Sequence, residues 1–271
     1  MKKIFAASGI TLAVGLIGGG VYVNTAFGKA KIQQELNETY PLSSNGVVSI
    51  DNVNGKVRVV AWDRCEVRLH AVKHGADQAD LDAVKIEIVS KADEVRIHTK
   101  YPNLKWRWRS NSAEVDYELN VPSRARVQSA QNVNGAIELE NLLGPVEAST
   151  VNGRLRAEGL GGQTSLETVN GMIDASFRTL EGVNAVSLKT VNGKVKLQLP
   201  SDANAEVAAK TLNGSIQGGP NLSAKKQWPV GVDLKGKLGK GGARISAETV
   251  NGAIQISQST SVSAVPLEDE K

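Results

Sequence analysis

The dipeptide Asn-Gly occurs seven times in this chain, at Asn54-Gly55, Asn134-Gly135, Asn152-Gly153, Asn170-Gly171, Asn192-Gly193, Asn213-Gly214 and Asn251-Gly252. The steps between successive copies are 80, 18, 18, 22, 21 and 38 residues. The last step is close to twice 19, which predicts that one copy there has lost its signature. Each pair sits in a longer frame. Immediately before Asn stands Val53, Val133, Val151, Val169, Val191, Leu212 or Val250, always branched and apolar. Two before comes Asn52, Asn132, Thr150, Thr168, Thr190, Thr211 or Thr249, and four before Ile50, Ala130, Ala148, Leu166, Leu188, Ala209 or Ala247. Three after Asn comes Val57, Ile137, Leu155, Ile173, Val195, Ile216 or Ile254. Five after, Val59, Leu139, Ala157, Ala175, Leu197 and Ile256 continue the pattern, with Gly218 the exception.

Apolar and polar residues thus alternate with period two on both sides of a turn, the pattern of strands. Asn-Gly tolerates positive φ, so it marks the corner between them. A lone unit of this kind reads as a hairpin. Hairpins, however, do not need the same residue type at the same offset in every copy. Stacked coils do, because equivalent positions then lie above one another. The expected fold is therefore all-β: a parallel β-solenoid with coils of about 18–22 residues. Columns of Thr/Asn and of corner Asn would hydrogen-bond up the stack, and branched aliphatics would fill the interior. With strands about 4.8 Å apart the rod is roughly 30 Å long. The ladder Asn54, Asn134, Asn152, Asn170, Asn192, Asn213, Asn251 reads as structure rather than as a binding site. Three before Asn stand Asp51, Gln131, Ser149, Glu167, Lys189, Lys210 and Glu248, a column of mixed sign that reads as a solvated face.

The N-terminus carries a different signal. Lys2 and Lys3 precede an uncharged run from Ile4 to Gly28 with an apolar heart from Ile10 to Val23. Residues 1–28 read as a secretory signal, with cleavage after Ala26-Phe27-Gly28, or as an uncleaved single membrane anchor. Either way the remainder is expected outside the cytoplasm: in the periplasm, on the cell surface, or anchored and facing outward. Without those two lysines the charge balance is 30 − 28 = +2, too small to imply a nucleic-acid partner. Cys65 is the only cysteine, which excludes an intramolecular disulfide and a multi-cysteine zinc site. Residues 29–45 read as a stalk or linker, with a short helix over Lys29–Tyr40 placing Ile32, Leu36 and Tyr40 on one face.

The long gap before Asn134 is β-rich. Strands are expected at Lys56–Trp62, Glu66–Lys73, Lys85–Ser90, Glu94–Tyr101 and Glu114–Val121, with one short helix at Gly75–Ala83 capped by Asp77. This part would cap the solenoid, whose end otherwise exposes a strand edge. Pro220–Gly242 is glycine-rich but lacks the spacing and terminal Lys-Ser/Thr of a phosphate loop, so it reads as a turn region. The tail, 258–271, reads as disordered.

Several motifs together resemble a known family: Val57-x-Val59-x-Ala61-Trp62-Asp63, Tyr117-x-Leu119-x-Val121-Pro122, the repeated Thr-Val-Asn-Gly, Leu197-x-Leu199-Pro200, and Thr211-Leu212-Asn213-Gly214-Ser215-Ile216. Over residues 46–257 the chain resembles the bacterial "putative adhesin" domain, a domain of unknown function. The resemblance implies an exported β-solenoid-like domain without catalytic residues.

The residues themselves offer little chemistry. There is no G-x-S-x-G elbow. His70 and His74 stand four apart, which suits a metal on a helix, but they fall on an expected strand. Carboxylates are scattered among lysines, without a calcium cage. The candidate recognition stretch is Lys105-Trp106-Arg107-Trp108-Arg109. On a strand it presents Trp106 and Trp108 on one face and Lys105, Arg107 and Arg109 on the other. The competing reading is that the tryptophans cap the end of the rod, and Trp62 and Trp228 read as packing residues. The chain is thus expected to be an exported, non-enzymatic envelope module without cofactor. Its partner would be a glycan, an envelope protein or a second copy. The alternatives are a self-assembling periplasmic scaffold and, less favoured, a polysaccharide-acting enzyme.

Overall fold

The computed structural model describes residues 4–5, 11–16, 19–24, 31–102, 113–219, 222–226 and 230–259. Two long sheets face each other across one apolar interior. Each Asn-Gly pair is a corner at which the chain leaves one sheet and enters the other. Strands running into a corner, such as Thr164–Asn170, form a leading sheet; those running out, such as Ile173–Phe177, form a trailing sheet. Neighbouring coils pair parallel and in register, Thr168 beside Thr150 and Asn170 beside Asn152. The interior columns are those four before and three and five after Asn. Ile50, Leu166, Leu188, Val57, Ile137, Leu155, Ile173, Leu139 and Leu197 are all essentially inaccessible. Burying each such side chain contributes about 1.5–3 kcal/mol.

The corner is held by stacked amides. Nδ2 of each ladder Asn donates to Oδ1 of the Asn before it in the stack: Asn134 to Asn54, Asn152 to Asn134, Asn170 to Asn152 and Asn192 to Asn170, at 2.9–3.0 Å. One position inward, Thr150, Thr168 and Thr190 are buried, and each donates Oγ1–H to the glycine carbonyl of the preceding coil at 3.1–3.3 Å. Asn132 does the same to Gly55 at 2.6 Å. Threonine is admitted to the core because this carbonyl satisfies it.

The glycine has a different reason from the one its dipeptide suggests. Among the corner glycines positive φ occurs at Gly55 (115°) and Gly135 (147°) alone. At Gly153, Gly171 and Gly193 a Cβ would overlap the carbonyl oxygen of the preceding coil's glycine. Close approach of backbones, not handedness, requires glycine there.

The last coil corrects the reading of a lost copy. Ala243–Asn251 pairs parallel with Ala185–Asn192 on one side and with Ala205–Asn213 on the other. Asn251 Nδ2 donates to Asn192 at 2.8 Å, and Asn213 Nδ2 donates to Asn251 at 2.9 Å. The spatial order of corners is therefore 54, 134, 152, 170, 192, 251, 213. No copy is missing; the interval between Asn213 and Asn251 leaves the stack and returns. Part of it, Val232–Leu238, lies antiparallel on Ala205–Asn213 and closes that end of the leading sheet together with Ala224–Lys226.

The other end is closed by the long first gap. Val57–Trp62 is followed in the trailing sheet by Glu114–Pro122, Glu66–Gly75 and Lys31–Pro41, and Val47–Asp51 in the leading sheet by Glu94–Lys100 and Lys85–Lys91. The expected helix is present at Gln78–Ala83, and the Asp77 carboxylate accepts from Asp80 N at 3.0 Å. The helix expected over Lys29–Tyr40 is not formed: Lys31–Pro41 is a strand antiparallel to Glu66–Gly75. The spacing of Ile32, Leu36 and Tyr40 is a multiple of two as well as near one helical turn, so it serves a strand equally well. Upstream, within the segment read as a signal, Thr11–Leu16 and Gly19–Asn24 pair antiparallel, and the latter pairs with Lys31–Pro41. No helix among the described residues is long and apolar enough to cross a membrane.

Two substitutions test the corner. Gly171→Ala is expected to destabilise the fold by about 1–3 kcal/mol through overpacking. Asn170→Ala, which removes two ladder bonds, is expected to cost about 1–2 kcal/mol. Gly219→Ala should be near neutral, since a Cβ there meets nothing within 4 Å. Thermal unfolding of the three variants checks the ranking.

Candidate functional site

The two outer faces of the solenoid differ in kind. On the trailing sheet, the position four after the corner Asn in the first five coils, extended by Glu118 of the capping strand, forms a charge ladder; in the last two coils this position is Gln255 and Gln217. In stack order it reads Glu118, Arg58, Glu138, Arg156, Asp174, Lys196, each beside the next in register. The ladder neutralises itself. Arg58 makes a two-pronged contact with Glu140 at 3.0 and 3.2 Å and reaches Glu118 at 3.3 Å, while Lys56 Nζ lies 2.8 Å from Glu138. The hydrogen bond to Glu140 raises the Arg58 pKa above its ordinary value, against a smaller opposing effect of burial.

Next to this ladder lie His70 and His74. They fall on the Glu66–Gly75 strand, as expected. His74 Nε2 stands 3.2 Å from Asp116 Oδ2, and its Nδ1 stands 3.2 Å from Gln33 Nε2. His70 Nε2 is 4.0 Å from Glu35. Among the described residues no three His, Cys, Asp or Glu side chains converge as metal ligands. Asp116 Oδ1 also accepts from Lys56 N at 2.7 Å, so this carboxylate pins the first corner to the capping strands. The His74 hydrogen bond holds the Asp116 carboxyl below its ordinary 3.8, against the opposing effect of burial.

The leading sheet presents something else. The branched residue just before each Asn points outward, not into the core. Val133, Val151, Val169, Val191, Val250 and Leu212 are 37–46% exposed and make a continuous apolar ridge along the stack. Strand propensity alone does not account for it. Threonine is β-branched and polar, and Leu212 is not β-branched at all, so what the position keeps is apolarity. Beside the ridge runs the column three before Asn, whose spatial order is Asp51, Gln131, Ser149, Glu167, Lys189, Glu248, Lys210. Re-sorted by the inserted coil, its charged C-terminal half alternates in sign. Lys189 Nζ lies 3.9 Å from Glu167, and Asp51 lies 2.9 Å from His98. Ridge and column bound a groove of about 790 Å³ that runs the length of the stack.

The groove lies where the sequence predicts a solvated face, and the sequence pattern presents the ridge residues only as part of the frame. Alternation does give the outward direction of the position before Asn, because the Thr next to it points inward. The Lys105-Trp106-Arg107-Trp108-Arg109 stretch and Trp228 lie outside the described residues. Trp62 is partly buried as a packing residue: its Nε1 donates to Glu66 O at 2.8 Å, and the Arg64 guanidinium lies 5.1 Å from the ring centroid. Cys65 is a free, exposed thiol.

The Toastrack DUF4097 family model matches residues 20–257. The chain belongs to the Toastrack family. None of the curated proteins searched matches this Toastrack chain. Several solved structures do. A "putative cell adhesion protein" from Clostridium sporogenes ATCC 15579 is 13% identical over 83% of this chain and 100% of its own, with a TM-score of 0.49. A "putative adhesin" from Bacteroides fragilis NCTC 9343 is 12% identical over 83% and 97%, with a TM-score of 0.35. A "putative lipid binding protein" from Parabacteroides distasonis ATCC 8503 is 10% identical over 83% and 97%, with a TM-score of 0.28.

The Asp116 contacts predict an acid-sensitive cap. A carboxylate whose folded pKa is depressed adds stability above its unfolded value and loses it as pH falls through the folded one. Stability contributed by Asp116 should therefore be present above pH 3.8 and decline below it. The contribution is about 1 kcal/mol or less for a half-exposed pair. Asp116→Asn should flatten that part of the acid limb in unfolding experiments between about pH 5 and pH 2.

Proposed function

We propose that this Toastrack protein is an exported, non-enzymatic binding module of the cell envelope, and that it works through the outer face of the leading sheet. The observation that carries this reading is the asymmetry of the two faces. Charges on the trailing sheet are spent on one another, whereas the leading sheet leaves an apolar ridge and a groove open along the whole stack. Export is supported by Lys2, Lys3 and the uncharged run that follows. The non-enzymatic reading is supported by the engagement of the clustered carboxylates Glu118, Glu138 and Glu140 with Arg58 and Lys56, which leaves them committed to structure.

Location and face are tested separately. Protease treatment of intact and of lysed cells, followed with an antibody to the C-terminal half, reports which side of the envelope holds the solenoid. Digestion only after lysis in a cell with one membrane would contradict export. For the face, a photo-crosslinking residue is placed at Val169 on the ridge and, separately, at Lys196 on the charge ladder. Adducts are expected from Val169 and not from Lys196. Adducts from Lys196 alone, or equal yields from both, would remove the reading.

A further inference from the structure

The partner best matched to the ridge is the chain itself. We propose that two copies pack face to face through their leading sheets, antiparallel, about a two-fold axis that runs along the strand direction at the Asn170 coil. The proposal rests on the leading face being the binding face, and it adds the partner, the symmetry and the register.

Three features of the molecule carry it. The first is pitch. Side chains on the ridge repeat at the strand spacing, about 4.8 Å, and a second copy repeats at the same spacing, so contacts made at one coil recur along the stack. An extended peptide advances about 6.8 Å per two residues and drifts out of step within a few coils.

The second feature is charge. Reversing one copy about the Asn170 coil sets Asp51 opposite Lys210, Gln131 opposite Glu248, and Ser149 opposite Lys189. Glu167 meets its own counterpart on the axis, and there each carboxylate has Lys189 Nζ of its own chain 3.9 Å away. A parallel arrangement with coils matched would instead set Asp51, Glu167, Lys189, Glu248 and Lys210 each against itself. Like charges across an interface select against that arrangement.

The third feature is coverage. This register lays Val133 over Val250, Val151 over Val191 and Val169 on its own counterpart, and sets Leu212 of the Asn213 coil over the half-buried Val53 of the Asn54 coil. The two-fold closes, so assembly stops at two. The ends of the leading sheet are unsuited to continued stacking, because they carry the antiparallel strands Lys85–Lys91 and Ala224–Lys226, whose lysines discourage edge pairing.

The test uses the full-length chain with Cys65→Ser as background. Facing sheets stand about 10 Å apart, beyond the reach of a disulfide, so a short bis-maleimide is the probe. Glu167→Cys, which lies on the axis, is expected to cross-link to a species of twice the mass. Asp51→Cys alone should not, because its counterpart lies at the far end, while Asp51→Cys with Lys210→Cys should. Cross-linking of Asp51→Cys alone would mean a parallel arrangement and overturn the proposal. A charge swap checks the register independently of the probe. Lys210→Glu should weaken the dimer about tenfold in sedimentation equilibrium, and adding Asp51→Lys should restore it; a double variant as weak as the single one would overturn the register. A chain that stays monomeric while Val169 still gives adducts of another mass would overturn self-pairing and leave the leading face as the binding face. Monomer with no adducts would remove both.

Discussion

At every corner after the first the backbone of one coil lies against the glycine carbonyl of its neighbour in the stack, too close for any side chain at that position. That approach sets the rest of the molecule. It brings the neighbouring Asn amides within hydrogen-bond distance and aims each buried Thr hydroxyl at the same carbonyl. Once corners are in register, the period-two alternation on both sides must be in register too, so every interior column becomes a row of like residues. Side-chain amides at an exposed corner contribute little singly. Repeated along the stack they favour one alignment of coils over all others, because a shifted coil loses its own bonds and those of both neighbours.

The same alternation fixes which residues the solvent meets. The residue before Asn lies between an inward Thr and a corner amide, so it has no choice but to point out. Apolar residues at that position therefore make a surface line through six of the seven coils, not a core column, and Val53 is half-buried at the capped end. The trailing sheet obeys the same geometry with opposite chemistry: Arg58, Glu138, Arg156 and Asp174 alternate in sign and leave little unmet charge. One fold thus carries a self-satisfied face and an unsatisfied one.

Much of this was legible in the residues. Fold class, coil length, the Asn ladder, the buried Thr column and the short capped helix all follow from offsets within the chain. What was not legible depended on contacts between distant segments. Nothing local distinguishes a degenerate coil between Asn213 and Asn251 from an excursion that sends the last coil back between two earlier ones; the slot exists only in three dimensions. The Lys31–Pro41 strand reads as a helix in the sequence because Ile32, Leu36 and Tyr40 satisfy both periods, and pairing with Glu66–Gly75 decides between them. The dipeptides mark the corners but give an incomplete reason for the glycines, since a carbonyl from another coil cannot be seen in a dipeptide. In sequence order the charge column that starts at Asp51, Gln131, Ser149 and Glu167 is unorganised for the same cause. Its alternation emerges only when Glu248 is placed between Lys189 and Lys210.

The order of corners is the central claim, because the continuous ladder, the ridge and the charge column all depend on it. It is tested most directly by side-chain amide contacts in solution, read as nuclear Overhauser effects from the Asn251 Nδ2 protons. The account predicts contacts from Asn251 to both Asn192 and Asn213, with none between Asn192 and Asn213. A direct contact between Asn192 and Asn213, with Asn251 touching only one of them, would contradict it and return the coils to the order of the sequence.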